Sequence, residues 1–111
     1  MPEGLISQIP LIKEVVKAYR LACMECGGYE ADDLMATLAT QFAGKNLEVV
    51  IVTEDKDMFQ LVNDQVKILS FRQDSLMGHK EIKEMLGVEP NRVTDYIALV
   101  GDQADNIPGV K

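Results

Sequence analysis

The sequence predicts an α/β fold in which helices flank a parallel sheet. Helical and apolar stretches alternate along residues 9–71, and the stretches at 47–53 and 66–71 are rich in β-branched and aliphatic residues. This alternation is typical of layered folds with parallel strands, because a helix usually makes the crossover between two parallel strands. Ligands of such sheets bind outside the carboxyl ends of the strands. The order of the elements therefore indicates where a functional site should lie.

The first third of the chain is predicted to contain two helices separated by a short strand. After a polar start over residues 1–8, residues 9–20 carry apolar side chains at helical spacing, with a proline in the first turn. Residues 21–26 are apolar and are predicted to form a strand that ends at two glycines. Residues 30–42 again have one apolar face, which predicts a helix with acids in its first turn.

The remainder begins with the most apolar stretch, at residues 47–53, which predicts a central parallel strand buried on both faces. A short helix, a second strand, a polar connection and two further helices are predicted to follow, at residues 56–62, 66–71, 72–78, 80–86 and 90–100. The last segment contains Asn-Ile-Pro-Gly, which is typical of a tight turn. It predicts a helix-hairpin motif whose second helix is missing.

The charge of the chain is concentrated in three acidic units at residues 28–33, 53–57 and 101–106. The chain has 18 acidic and 11 basic residues, a net charge of −7, and these units contain Glu54 and seven further acids that are the candidate metal ligands. Without these seven the remaining acids and bases balance, so the net charge alone does not exclude a nucleic-acid partner. Clustered carboxylates repel one another unless a cation neutralises them, and such clusters usually mark a metal site. The seven acids are Glu30, Asp32, Asp33, Asp55, Asp57, Asp102 and Asp105.

Each unit taken alone also has an ordinary explanation. Acids in a first helical turn often serve only the helix dipole, and loops after strands are commonly acidic. Together, hard oxygen ligands at the ends of strands are what Mg²⁺ or Mn²⁺ requires. Two such ions about 4 Å apart activate water and stabilise the leaving oxygen in phosphodiester hydrolysis. The sequence therefore predicts a metal-dependent nuclease that uses two ions of Mg²⁺ or Mn²⁺.

Cys23 and Cys26 are the only cysteines, and their C-x-x-C spacing raises the alternatives of a zinc or a redox site. There is no second pair, and His79 is the only histidine. Residues three apart in a strand point to opposite faces, so we predict two inert thiols. No apolar run approaches the roughly 20 residues of a membrane span and no signal leader is recognisable, which predicts a soluble intracellular protein without a membrane partner.

Three motifs then resemble those of a known nuclease family. They are GYEADD, VTEDKD-x-x-QLV and LVGDQADNIPGV, in this order along almost the whole chain. They resemble the 5′ nuclease domain of bacterial DNA polymerase I and the related flap endonucleases and 5′-3′ exonucleases. The resemblance implies a PIN-like (Rossmann-like) α/β fold, two-metal hydrolysis of branched or 5′-ended duplex DNA, and a cytoplasmic, nucleoid-associated role in replication and repair.

The resemblance also implies roles for individual residues. It makes residues 1–72 the C-terminal portion of the nuclease core and residues 73–111 a helical region with a truncated helix-hairpin-helix motif, where some members hold a potassium ion. Its catalytic metal ligands correspond to Glu30, Asp32, Asp33, Asp55 and Asp57, while Asp102 and Asp105 match the acids at the start of the hairpin region. DNA contacts are expected from Lys56, Asn106, Gly109 and Lys111. For Lys56, a catalytic electrostatic role and a local counter-charge role both stay open.

Two departures from the family pattern qualify these expectations. Glu54 stands where bacterial members usually have glycine, although an acid there resembles the eukaryotic flap endonucleases. The family's earlier Asp-bearing strand, its basic helical arch and the second hairpin helix have no counterpart here, which predicts a fragment or truncated homologue with weak or no activity alone. A second hypothesis is a non-catalytic module that binds branched DNA or a protein partner. A third expectation is self-association through an exposed sheet edge.

Overall fold

A computed structural model describes all 111 residues of the chain, and these divide into two compact units. The first unit is Met1–Leu34 and the second is Met35–Lys111. The sequence predicted a boundary at residue 72 between a portion of the nuclease core and a helical region. The two compact units do not test that boundary, and it stays a prediction. None of the helices combines the length and the apolar character that crossing a bilayer requires.

The first unit contains α1 (Glu3–Ile6), α2 (Ile9–Ala18) and the first turn of α3 (Ala31–Phe42). The helices predicted at 9–20 and 30–42 are confirmed to within two residues, whereas α1 lies inside the segment predicted to be only a polar start. Helix α2 ends because the backbone of Arg20 is left-handed, with φ of 57°. Neither α1 nor α2 has a buried residue. The Lys13 ammonium forms an ion pair with the Glu25 carboxylate, which ties α2 to the segment that follows it.

The strand predicted at residues 21–26 is wrong, because this segment is irregular. A strand exists only where another backbone pairs with it, and the sheet of this chain contains three strands that all lie later in the sequence. Local apolar character was the only basis of the prediction. The argument that a strand separates the two thiols therefore fails with it. Cys23 and Cys26 are free and exposed, and their predicted inertness stays a prediction.

The second unit is built on a mixed sheet of β1 (Val49–Val52), β2 (Val66–Ser70) and β3 (Ser75–Met77), in the order β1-β2-β3. Strands β1 and β2 are parallel, as the sequence predicted, and Ile51 lies opposite Ile68. Strand β3 pairs antiparallel with β2. The sequence missed β3 because it is only three residues long and follows a polar turn. The sheet is therefore mixed rather than purely parallel.

Strand β1 is an edge strand, so the prediction of a central strand buried on both faces is wrong. It pairs on one side only, and Val50 and Val52 are 44% and 53% exposed, while Ile51 between them is buried. The β-branched composition correctly predicted a strand, but composition does not encode the position of a strand in its sheet. The exposed edge matches the predicted feature, and the predicted self-association through it stays a prediction.

One face of the sheet packs on the core of the second unit. A 3₁₀ helix at Lys56–Leu61 follows β1, and α4 (His79–Leu86), a 3₁₀ turn at Pro90–Arg92 and α5 (Val93–Val100) follow β3. These elements agree with the predicted helices at 56–62, 80–86 and 90–100. The buried apolar residues alternate along β2 and recur at helical spacing in the helices. They are Ala39, Ile51, Met58, Phe59, Val62, Val66, Ile68, Met77, Ile82, Val93 and Ile97.

Glu89 joins α4 to the 3₁₀ turn that precedes α5. Its carboxylate lies 2.6 Å from the Lys83 ammonium and also pairs with the His79 imidazole. The Lys83 ammonium foremost, together with His79, lowers the pKa of Glu89. The stability that this carboxylate contributes is therefore present above its ordinary pKa and is lost as the pH falls through the lowered pKa of the folded state.

Replacing Glu89 with glutamine is accordingly expected to lower the free energy of unfolding at pH 7 and to change it little near pH 3. Urea unfolding at both pH values measures the difference. Glu84→Gln is the matched control, because Glu84 lies on α4 in an exposed pair with Lys80 at 3.9 Å. Equal effects of the two substitutions at pH 7 would contradict a specific role for Glu89.

Candidate metal centre

The turn that follows β1 positions two of the predicted acids. The Asp55 N–H donates to the Thr53 hydroxyl oxygen at 3.0 Å, and the Asp57 N–H donates to Asp55 Oδ1 at 2.9 Å. Asp55 thereby caps the 3₁₀ helix in which Asp57 is the second residue. Met58 and Phe59, the next two residues, are buried in the core. This burial holds Asp57 at the edge of the core while Asp55 remains exposed.

The other acids lie on a closed loop after α5. The helix ends at Gly101, which has φ of 89°. Asp102 and Ile107 then exchange two backbone hydrogen bonds of 2.9 and 2.8 Å, so that the loop returns on itself. Asp102 Oδ1 also accepts a bond from the Ala104 N–H at 2.9 Å. Asp105 lies at the exposed turn between the two ends of this loop.

The structure brings three predicted acids together. Asp57, Asp102 and Asp105 each offer a carboxylate oxygen, and these oxygens all lie within 4.8 Å of one another. Asp57 and Asp102 are half-buried, and Asp105 is exposed. Packing of α5 on the 3₁₀ helix produces the arrangement, and the Thr94 hydroxyl bonds Gln60 Oε1 at 3.3 Å between them. The sequence identified all three acids as candidate ligands, but it assigned Asp57 to one acidic motif and Asp102 and Asp105 to another.

The electrostatics of the cluster favour a bound cation. The pKa of Asp57 is raised, first by burial and then by the carboxylates of Asp55, Asp105 and Asp102. A divalent ion between these oxygens would replace repulsion with attraction. Carboxylate oxygens are hard ligands, so the donor set fits Mg²⁺ or Mn²⁺ better than a thiophilic metal. The residues present therefore fit the predicted kind of metal.

The acids of the first motif stand at the beginning of α3. Asp33 Oδ2 accepts a hydrogen bond of 3.0 Å from the Glu30 N–H, in the manner of a helix cap. Asp32 is half-buried beside it. The expectation that Glu30 lies at the end of a strand is wrong, because no strand precedes it. Metal ligation by Glu30, Asp32 and Asp33 stays a prediction.

The residues predicted to contact DNA lie on the surface or in the closed loop. Lys56 is exposed, and none of the ion pairs of the chain includes it. Asn106 is exposed and adopts φ of 57°, while Gly109 adopts φ of 70°. Lys111 is exposed at the end of the chain. DNA contacts by these four residues stay predictions, and the residues after α5 form the closed loop rather than a helix.

Sequence reasoning missed the structural role of Glu54. Its Oε2 accepts a hydrogen bond from the buried Ser70 hydroxyl at 2.9 Å, and its Oε1 accepts one from the Arg72 N–H at 3.1 Å. These bonds, that of the Arg72 N–H foremost, lower the pKa of Glu54. The usable signal was a carboxylate directly after one strand and a polar turn directly after the next strand, because parallel strands end at the same edge of a sheet.

Comparison with known proteins identifies similar sequences over most of the chain. Residues 1–87 match the family model described as 5′-3′ exonuclease, N-terminal resolvase-like domain. A 5′-3′ exonuclease of Aquifex aeolicus is 42% identical over 110 residues, which are 99% of this chain and 38% of that protein. A DNA polymerase I of Caldicellulosiruptor bescii is 46% identical over 117 aligned residues, covering 100% of this chain and 14% of that protein. The chain thus spans well under half of these relatives.

Solved structures show the same fold. The T5 5′-exonuclease with bound zinc ions superposes with a TM-score of 0.77 at 23% identity, over 100% of this chain and 44% of that one. A bacteriophage T5 flap endonuclease in a pseudo-enzyme-product complex with DNA and metal ions has a TM-score of 0.77 at 22% identity, over 100% of this chain and 43% of that one. These similarities confirm the predicted PIN-like α/β class of fold.

Proposed function

Because the chain belongs to the family of the 5′-3′ exonuclease N-terminal resolvase-like domain, we propose that it is a metal-dependent nuclease core that hydrolyses DNA phosphodiester bonds at 5′ ends or flaps. The observation that carries the proposal is the cluster of Asp57, Asp102 and Asp105, whose carboxylate oxygens lie within 4.8 Å of one another. The relatives named DNA polymerase I support a place in replication and repair as the nuclease part of such an enzyme, in the cytoplasm at the nucleoid.

The cluster has the chemistry to hold a divalent ion next to a phosphate. Asp57, Asp102 and Asp105 would bind one ion, with Asp55 beside them, and Glu30, Asp32 and Asp33 are proposed as further ligands for a second. Such an ion supplies an acidified water as nucleophile and stabilises the leaving oxygen. The protein's own contribution is to hold the carboxylates in place before the ion binds, which the turn at residues 53–57 and the closed loop both do.

DNA binding by an acidic chain requires that the cluster first be neutralised. The net charge is −7, and the excess belongs to the acidic motifs, so bound divalent ions would remove most of the repulsion toward a phosphate backbone. Lys56, Asn106, Gly109 and Lys111 are proposed to contact the DNA, with a potassium ion at the closed loop. T5 flap endonuclease in complex with DNA and metal ions shares this fold, and that supports branched or 5′-ended duplex DNA as the substrate.

We expect Mg²⁺ or Mn²⁺ titration to shift the amide NMR signals next to Asp57, Asp102 and Asp105, because these carboxylates form the cluster. With a 5′-labelled flap duplex and protein in excess, metal-dependent cleavage is expected to appear slowly and to disappear on adding a chelator. Asp57→Asn should abolish the cleavage. Asp64→Asn should not, because Asp64 is an exposed acid outside the cluster. Unmoved signals around all three acids would contradict the metal centre.

A binding-only module is the second candidate, and the capping bond between Asp33 and the Glu30 N–H favours it, because this carboxylate already has a structural use. It predicts that flap duplex binds, as measured by fluorescence anisotropy, while no product forms at any metal concentration. Cleavage that requires Asp57 would exclude this candidate. Binding without cleavage, in the presence of bound Mg²⁺, would exclude the nuclease proposal for this chain.

A further inference from the structure

We propose that Glu54 is a positioning residue of the metal centre, because it fastens the turn at residues 53–57 to the turn that follows β2. The consequence for metal binding rests on the proposed function, whereas the geometry stands on hydrogen bonds alone. Glu54 uses both carboxylate oxygens, one for the Ser70 hydroxyl at 2.9 Å and one for the Arg72 N–H at 3.1 Å. It lies between the end of β1 and Asp55, so it acts on the centre through the backbone and not as a ligand.

Ser70, which donates a hydrogen bond to Glu54, is buried at the edge of the core. Ser70 is 1% exposed, at the end of the strand whose Ile68 is fully buried in the core. The Ser70 hydroxyl oxygen also accepts a hydrogen bond of 3.0 Å from the Gln73 N–H. The same hydroxyl group therefore holds both the turn after β2 and the Glu54 carboxylate. Directly after β1, the Thr53 N–H donates to the Leu69 carbonyl oxygen at 3.3 Å. The backbone is therefore held just before Glu54 and again by its side chain.

The restraint continues into the acidic turn. The Asp55 N–H donates to the Thr53 hydroxyl, and the Asp57 N–H donates to Asp55 Oδ1. A backbone rotation at residue 54 would break the bond between the Asp55 N–H and Thr53 and would move Asp55 and Asp57 together. Asp57 lies beside the like charges of Asp102 and Asp105, and their repulsion favours separation of the turn from the loop when no cation is bound. Glu54 opposes that movement, so it preserves a metal-ready arrangement in the metal-free chain.

The test compares three variants by amide hydrogen exchange without metal and by Mn²⁺ titration in a calorimeter. Glu54→Gln and Ser70→Ala should each speed exchange of the Asp55 and Asp57 amides and weaken Mn²⁺ binding by about tenfold. Ser70→Ala changes no charge, so an effect there cannot arise from a lost carboxylate. Glu48→Gln removes an equal charge near the other end of β1, where Glu48 pairs with Lys67 at 2.9 Å, and should leave both readouts unchanged.

The outcomes separate this inference from the proposed function. Unchanged exchange at Asp55 and Asp57 in both Glu54→Gln and Ser70→Ala overturns the positioning role, and so does faster exchange that appears equally at the core amide of Ile68, because that indicates global unfolding. If the wild-type chain binds no Mn²⁺, the proposed function fails while the exchange measurements still decide the role of Glu54. The double variant is expected to weaken Mn²⁺ binding by less than the product of the two single effects, because both substitutions act on the contact between Ser70 and Glu54.

Discussion

Replacing Asp57 with asparagine is expected to weaken Mn²⁺ or Mg²⁺ binding by about 100-fold and to make the metal-free chain more stable. Asp57 provides one of the three carboxylate oxygens that lie within 4.8 Å, and asparagine offers only a neutral carbonyl oxygen in its place. The same change removes the repulsion from the neighbouring acids, so the free energy of unfolding should rise by roughly 0.5–1 kcal/mol. Calorimetric titration and urea unfolding measure the two effects.

The opposite signs of these effects make the prediction specific. Asp64→Asn changes the net charge by the same amount at an exposed position just beyond the 3₁₀ helix, and it should alter metal affinity and stability little. A general electrostatic effect of net charge would appear in both variants. Weaker metal binding together with a loss of stability in Asp57→Asn would instead indicate damage to the turn, and unchanged affinity would remove Asp57 from the centre.

The raised pKa of Asp57 also sets the direction of the pH dependence. An acid whose pKa is higher in the folded state contributes stability that is complete below its unfolded pKa and is lost as the pH rises through the folded pKa. The metal-free wild-type chain should therefore lose stability relative to Asp57→Asn over that interval. Metal affinity should rise over the same interval, because the ion competes with the proton for the carboxylate.

The sequence was a good guide wherever a local pattern decides the outcome. Apolar spacing predicted α2 and α3 because a helix satisfies its backbone internally, and α4, predicted at 80–86, ends at Gly87 with φ of 76°. A strand depends on a partner elsewhere in the chain. The apolar segment at 21–26 therefore looked like a strand without being one, and composition did not reveal that β1 is an edge strand with Val50 exposed on one face.

The candidate site could likewise be predicted from the sequence only in part. Its acids were predictable as candidate ligands, because a cation between neighbouring carboxylates relieves their mutual repulsion. Which acids meet was not predictable, since the contact of Asp57 with Asp102 and Asp105 depends on the packing of α5 against the 3₁₀ helix. Glu54 shows the limit most clearly. The sequence showed Glu54 only as a departure from a family pattern and gave it no role. In the structure its carboxylate accepts hydrogen bonds from Ser70 at the end of β2 and from Arg72 just after it.

Replacing Gly109 with alanine is expected to disrupt the closed loop and with it the metal centre. Gly109 has φ of +70°, and an added Cβ would lie 2.5 Å from the Val100 carbonyl oxygen. Backbone atoms cannot yield as a flexible side chain does, so the loop must open and the bond of 2.8 Å from the Val110 N–H to the Leu99 carbonyl must lengthen. We expect a loss of roughly 1–2 kcal/mol from the left-handed backbone and roughly 1–3 kcal/mol from the clash.

Gly87→Ala separates these two contributions. Gly87 has a similar φ of +76°, but nothing lies within 4 Å of the Cβ that alanine would add, so this variant should lose only the backbone share. It should also keep wild-type Mn²⁺ affinity, whereas Gly109→Ala should lose it because Asp102 and Asp105 move with the loop. Equal stability losses in urea unfolding, with equal metal affinities, would mean that the loop tolerates the clash. Stability loss in Gly109→Ala with metal affinity intact would show that the acids hold their positions independently of loop closure.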